Sequence, residues 1–252
     1  MATTVADILR AESMIASSWP ALNLCLSGRW LLGMADGVSG RANSLFFLDH
    51  TDTDQYKARL DWMEQTYRRV GLPPRARLSP LAPVPVIQEL QARGYRFADP
   101  TLTLRRTLDT LPAKNNATTI ISSSHVTPEW LNTFIACTPR YSRNRQTIKH
   151  MLGAILDQTH YHLALVNGMP VATAMSVQHL DSVTLQNIAT LPDFQRRGLA
   201  TQLLITALHG AAANGAAWCW LAVGQENSGA IALYRHLGFD NFYSYIYATL
   251  DQ

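Results

Sequence analysis

In the second half of the chain, apolar and polar residues change rhythm at regular intervals. Thr118 to Val126 reads as a strand, and Thr127-Pro128-Glu129 opens a helix, with Thr as N-cap and Pro at the first helical position. A second helix is expected over Arg143 to Leu156. His160 to Val166, a turn at Asn167-Gly168 and Val171 to Gln178 form a hairpin, because Asn-Gly supplies the positive φ angles of a tight turn. Val183 to Thr190 is the next strand. Ala200, Leu203, Leu204, Ala207, Leu208 and Ala211 then recur at helical spacing, which predicts a helix over Leu199 to Asn214 ended by Gly215. Trp218 to Val223 reads as an apolar strand, Ser228 to Leu237 as a helix closed by Gly238, and Phe239 to Leu250 as a final aromatic strand. The order β-α-α-β-β-β-α-β-α-β predicts an α/β (α+β) mixed sheet with helices packed on it.

The first half echoes the end of that order. Leu90-Gln-Ala-Arg-Gly-Tyr95 followed by Leu102 to Leu108 parallels Tyr234-Arg-His-Leu-Gly-Phe239 followed by Tyr245 to Leu250. In both, a short helix ends on Gly and runs into a strand. Upstream, Arg29 to Leu32, Ser44 to Leu48 and Ala76 to Leu78 read as strands and Asp54 to Val70 as a helix. At an offset of about 144 these fall on elements of the second half, the pattern of a degenerate internal duplication. Asp109 to Ala117 is polar, is broken by Pro112 and reads as a linker. Two domains are therefore expected, residues 1–112 and 117–252.

Composition narrows the class. The 252 residues are 47% hydrophobic and 15% charged, which excludes a disordered or collagen-like chain. No uncharged apolar run reaches the roughly 18 residues of a membrane helix, and Met1 to Arg10 lacks the pattern of a signal peptide. Cys25, Cys137 and Cys219 are odd in number and far apart, with no metal-ligand spacing. A reduced cytoplasmic setting, no metal and no membrane partner are the expectations. The net charge of +3 is too small to argue for nucleic acid. It is also uneven: residues 1–116 hold 14 Lys/Arg against 11 Asp/Glu, whereas residues 117–252 hold 7 of each.

The informative chemistry lies in Leu185-Gln-Asn-Ile-Ala-Thr-Leu-Pro-Asp-Phe-Gln-Arg-Arg-Gly-Leu-Ala200. A strand stops at Pro192, and a loop leads into a long helix at Gly198. The first amides of a helix lack intrahelical partners, and its dipole is positive at that end. Gly198 permits close approach and Ala200 leaves room above the first turn. Arg196 and Arg197 add positive charge, so the segment suits a pyrophosphate. Taken alone, a Gly before a helix is weak evidence, because many such helices bind nothing.

Gln195-x-x-Gly198-x-Ala200 resembles the acyl-CoA pyrophosphate motif of the GNAT acetyltransferase superfamily. Asn227-x-x-Ala230-x-x-Leu233-Tyr234-x-x-Leu237-Gly238-Phe239 resembles that family's second signature. The resemblance covers roughly residues 117–252 and implies an acyl-CoA N-acyltransferase fold, tandem in this chain. It implies acetyl-CoA as cosubstrate and a primary amine, on a small molecule or peptide, as acceptor. By the same resemblance, the amides of Arg197, Gly198, Leu199 and Ala200, with Thr201 in the same turn, hold the pyrophosphate. Ala189, Thr190 and Leu191 form the splayed end of the family's fourth strand and pair with the pantetheine arm, an amide near Thr190 polarising the thioester carbonyl. Asn227 is either a CoA contact or an ordinary N-cap. Tyr234 is the general acid for the departing thiolate, unless it only packs on a buried helix face. In the first half the cradle would fall on Thr51-Asp-Thr-Asp-Gln-Tyr56, which has two acids and no glycine. That half is not expected to bind CoA.

No general base emerges. Ser182 to Asn187 holds no carboxylate, and Gln186 and Asn187 cannot take a proton at neutral pH. Glu226, His160, His162 and His179 are nearby in sequence but read better as exposed or structural groups, which leaves ordered water or a neutral amine. Arg140, Arg143, Arg145, Lys149 and His150 form either a basic lip for an acidic acceptor or a solvated helix face. Trp218 and Trp220 are expected to fill the sheet's two faces around a packed Cys219. Arg29-Trp-Leu-Leu and Arg41-Ala-Asn-Ser44 are assigned nothing beyond a wall of the acceptor cleft. The alternatives are a non-catalytic CoA-responsive module, another acyl donor, or an oxygen acceptor. The chain is expected to be a monomer, or a homodimer paired through an exposed final strand.

Overall fold

The computed structural model describes residues 3–114 and 118–251. Asn115 to Ala117, at the end of the expected linker, lie outside the described residues, as do Met1, Ala2 and Gln252. The chain separates into two compact units, each built from more than one stretch. The first comprises Met1–Thr103, Val223–Asn227 and Phe242–Gln252, and the second Leu104–Ala222 and Ser228–Asn241.

The second unit follows the sequence rhythm closely. Its elements are β6 (Thr119–Ser123), α4 (Pro128–Cys137), α5 (Arg145–Gly153), β7 (Gln158–Val166), β8 (Met169–His179), β9 (Ser182–Thr190), α6 (Leu199–Ala213), β10 (Trp218–Gly224) and α7 (Ser228–His236). The Thr127 hydroxyl caps α4 by accepting from the Trp130 N–H at 3.2 Å. Asn167 and Gly168 take φ of 51° and 78°, and the hairpin between β7 and β8 closes on those two residues. The helix expected over Arg143–Leu156 is shorter, because a 3₁₀ turn at Pro139–Asn144 precedes it.

The strands order as β10-β9-β8-β7-β6, with β9 and β10 parallel and the others antiparallel. Side chains alternate across a strand, so Tyr161 and Ala164 of β7 point to opposite faces. Tyr161 meets Trp130 of α4 edge-on at 5.1 Å. Ala164 joins Val171, Ala172, Ala174, Leu199 and Leu203 in the core under α6. Helices thus cover both faces of this sheet. Trp218 and Trp220 share one face, 6.3 Å apart, rather than filling two. Cys219 alone points the other way and is fully buried.

The first unit holds α1 (Val5–Ser18), β1 (Asn23–Ser27), β2 (Trp30–Met34), β3 (Leu45–Phe47), α2 (Tyr56–Arg69), β4 (Arg75–Leu78), α3 (Val84–Ala92) and most of β5 (Arg96–Thr107). β11 (Asp240–Thr249) contributes to this unit from Phe242 onward. Here the strands run β1-β2-β3-β4-β11. β11 pairs antiparallel with β4, from Ile246 opposite Leu78 to Thr249 opposite Arg75, and has β5 on its other side. The final strand is therefore not the exposed edge that the sequence suggested. The edge is β1, where Leu24 and Leu26 are exposed.

The internal echo holds over α2, β4 and α3. Adding 144 to the bounds of α3 (84 and 92) gives those of α7 (228 and 236). The same shift takes α2 (56 and 69) to 200 and 213 within α6, and β4 (75 and 78) to 219 and 222 within β10.

Candidate functional site

β9 and β10 run side by side only from Ser182 opposite Trp218 to Thr184 opposite Trp220. Beyond that point β9 keeps its partner β8 but bends. The β8–β9 register shifts between Thr173 and Met175, and Asn187 takes a φ of 54° with its carbonyl accepting from the Thr173 hydroxyl at 3.0 Å. A bulge of this kind turns a strand away from its neighbour. The burial pattern records the divergence, since Ser182–Gln186 are buried and Asn187–Thr190 half-exposed. Parallel strands that part leave one row of backbone groups without a ladder, a slot for an extended ligand.

Three of the expected contact residues sit on that slot. The Leu191 N–H bonds the Val171 carbonyl at 2.9 Å, so alternation turns the Thr190 N–H to the open side. The Thr190 carbonyl accepts from the Gln195 amide at 3.3 Å, which ties the strand end to the following loop. Ala189 pairs with Thr173 on the β8 side. The Leu191 carbonyl accepts from Phe194, so both backbone groups of Leu191 are occupied, leaving its side chain for any ligand.

The loop then delivers the chain into α6. Arg196 and Gly198 take φ of 60° and 77°, an alternation that aims successive N–H groups to one side. Gly198 is the N-cap and has no side chain to satisfy the first turn. The first intrahelical bond comes from the Gln202 N–H to the Gly198 carbonyl, so the amides of Leu199, Ala200 and Thr201 have no partner within the helix. A Cβ at Gly198 would meet no atom within 4 Å, so open space lies there. Gln195, Arg196, Arg197 and Gly198 are exposed, while Leu199 is buried and anchors the turn in the core. Arg197 folds back over Phe194 and donates to the Asp193 carbonyl at 2.7 Å. The Arg196 guanidinium comes within 3.9 Å of where a Cβ on Gly229 would stand, beside the first turn of α7. Left-handed backbone, open amides and an unpaired guanidinium are what a pyrophosphate requires.

Tyr234 lies on α7 with its ring edge against Phe239 at 6.1 Å, only 6% exposed, and burial pushes its hydroxyl up to about 12. Asn227 directly precedes α7, in the stretch assigned to the first unit, and its N–H bonds the Gly224 carbonyl.

The histidines lie elsewhere. His162 is buried, with its ring nitrogens 2.8 Å from the Ser122 hydroxyl and 3.0 Å from that of Ser176. Burial, reinforced by His160, pushes its pKa down to about 4. With His160 it lines a cleft of ≈ 250 Å³ against Thr206–Asn214, the far half of α6 from its N-terminus. His179 pairs with Asp157 at 2.8 Å, and Glu226 is exposed. The Arg29 and Arg41–Ser44 segments serve their own unit: the Arg29 N–H bonds Asp52, and the Asn43 amide staples the loop at Ala35 and Gly37. Among the described residues no group of three or more His, Cys, Asp or Glu has a metal-site arrangement, and no helix is long and apolar enough to cross a membrane.

A splayed parallel strand pair beside an open helix N-terminus is the arrangement expected of an acyl-CoA-dependent N-acetyltransferase, and the similarities of the chain point the same way. Residues 126–239 match the acetyltransferase (GNAT) family. It is 26% identical to the uncharacterized N-acetyltransferase YobR of Bacillus subtilis over 238 residues, 92% of this chain and 94% of that protein. It is 45% identical over 74 residues to the [ribosomal protein bS18]-alanine N-acetyltransferase of Escherichia coli, 29% of this chain and half of that enzyme. Its fold matches that of a tandem GNAT protein from the clavulanic acid biosynthesis pathway, with a TM-score of 0.67 at 14% identity over 95% of this chain and 86% of that one. GNAT enzymes use acetyl-CoA and act on amines.

Proposed function

We propose that the second half of the chain, residues 117–252, carries the catalytic centre and moves an acetyl group from acetyl-CoA to a primary amine by direct attack. The first half, residues 1–112, is a degenerate copy without a CoA site. The observation that carries this reading is the open amide cradle at Gly198 beside the parted strands β9 and β10. In it, Gln195 to Thr201 hold the pyrophosphate and Ala189 to Leu191 border the pantetheine arm. The amine nitrogen attacks the thioester carbon, whose oxygen leans on the Thr190 N–H. The carbon–sulfur bond then breaks and the departing thiolate takes the Tyr234 proton. The nitrogen gives its own proton to ordered water, because β9 has no carboxylate. The curated relative that acts on an alanine of a ribosomal protein supports a peptide amine as one acceptor class.

Tyr234→Phe tests the assignment. Turnover should fall about a hundredfold while CoA affinity by calorimetry stays within about threefold, since the acid matters only as charge develops. With its ionisation displaced to about 12, the wild-type kcat should hold its alkaline plateau through about pH 10. Equal losses in turnover and CoA affinity remove Tyr234 from the acid role.

A further inference from the structure

The seven Lys and Arg residues between 118 and 251 are sharply segregated. Arg196 and Arg197 stand at the cradle, Arg235 on α7, and the other four, Arg140, Arg143, Arg145 and Lys149, lie within ten residues of one another. No acid occurs from Trp130 to Leu156. All four are exposed, and among the described residues none pairs with a carboxylate. Arg140 rests on the Tyr141 ring at 4.9 Å, and Arg145 donates to the Asn132 side chain. Among the described residues Arg143 and Lys149 have no polar partner. Ile148, Met151 and Leu152 face the core from α5, and Arg145 and Lys149 flank that stripe with their side chains exposed.

This basic segment has a fixed place relative to the slot. The Val171 carbonyl that receives the Leu191 N–H also receives the Cys137 thiol at 3.8 Å. The last turn of α4 therefore sits at the same end of the sheet as the exit of β9, and the basic segment starts three residues beyond it and runs back along α4, where Arg145 meets Asn132. They lie on the α4 face, opposite α6 and its cradle. A thioester that reaches between the parted strands from the α6 side meets its acceptor on the α4 side.

Resting on the proposed acetyl transfer, we propose that Arg140, Arg143, Arg145 and Lys149 select the acceptor: an amine at the start of an acidic peptide. Helical rise spreads the four cations over about 15–20 Å, which an extended peptide covers in about five residues. A single amino acid would engage one or two of them. Exposed cations that no carboxylate among the described residues neutralises attract such a segment and repel basic ones.

The test compares two peptides with the same N-terminal residue, one with Asp and Glu at its next five positions and one with Lys. Wild type should show at least about tenfold higher kcat/KM on the acidic peptide, falling as salt is raised. Arg143→Glu/Lys149→Glu, which removes two side chains with no polar partner to lose, should erase that preference and leave CoA affinity unchanged. Fluorescence anisotropy of the labelled acidic peptide with CoA present gives a readout independent of turnover. Binding of the acidic peptide that the double variant abolishes, without turnover of either peptide, supports the charge selection and sinks the catalytic reading. Equal use and equal binding of the two peptides overturns the selection. So does a double variant that weakens CoA but not dephospho-CoA, which would assign the cations to the 3′-phosphate.

Discussion

The two units use their cations in opposite ways. In the first, Arg59 pairs with Asp52 at 2.8 Å, Arg68 with Glu64 at 2.9 Å and Arg77 with Glu12 at 2.6 Å, and Arg93 reaches Asp61, Glu64 and Glu89. In the second half, none of the seven Lys and Arg pairs with a carboxylate among the described residues. The contrast is sharpest at the equivalent loops. Ahead of α2, Gln55 takes a φ of 45°, much as Gly198 takes 77° ahead of α6, so the left-handed entry survives in both copies. Asp52, however, binds the Arg59 guanidinium and the Arg29 N–H, and the hydrogen bonds from Arg59 hold its carboxyl below the ordinary range. One copy supplies its own anion and the other leaves the place open. A paired charge organises the fold, whereas an unpaired one is available to a ligand.

Substitutions can break this comparison, and the largest effect is expected in the paired half. Arg77 and Glu12 are fully buried, and Tyr243 donates to the same carboxylate. Burial opposes the Arg77 charge, but Glu12 and the surrounding tyrosines more than offset it, keeping the guanidinium protonated. Arg77→Met leaves Glu12 without its counter-ion and should cost about 3–5 kcal/mol in urea unfolding, whereas Glu12→Leu/Arg77→Met should recover most of that loss. A double variant no more stable than the single one would deny that the pair is the cause.

A buried histidine of the second unit is neutral, which gives a pH signature of its own. His162 is held to about 4, well below the ordinary 6.5, so below pH 6.5 the unfolded chain takes up a proton that the native state refuses. The stability that this contributes is complete above pH 6.5 and is lost as pH falls toward 4, on the order of 3 kcal/mol. Denaturant midpoints between pH 7 and 4 should show this slope, and His162→Gln should flatten it. An unchanged slope in the variant assigns the acid sensitivity to another group.

A smaller effect tests the open loop. Gly198→Val should weaken CoA about a hundredfold, near 2.7 kcal/mol, because its side chain enters the space meant for phosphate. Stability should fall by only about 1–2 kcal/mol, since the positive φ is strained but no neighbour is struck. Unchanged CoA affinity would move the cradle elsewhere.

Much of this was legible in the sequence. Thr127-Pro128, Asn167-Gly168 and the Leu and Ala spacing of α6 are local signals that act through their own backbone, and they place the second-half elements in the observed order. The cradle was legible because Gln195, Gly198 and Ala200 belong to one contiguous turn. α1 and β1 were not read. Glu12 lies on the buried face of α1 with Ile8, Ala11 and Ile15, and Arg77 and Tyr243, both distant in sequence, make that burial tolerable. The place of β11 was equally hidden, since an aromatic strand carries no local mark of which neighbour it will join. The basic segment was visible as charge, but its position at the slot depends on the Val171 carbonyl.

The pairing of β11 with β4 has a consequence for how the protein is made. Arg75 and Thr249 hydrogen-bond across 174 residues of sequence. At about 5–20 residues per second, the ribosome needs roughly 10 to 35 s to produce the partner of a strand already synthesised. The half that leaves the ribosome first must therefore wait, its β4 edge unpaired, until translation has passed the second half. Birth order and completion order are reversed in this chain, and the oldest segment is the last to close.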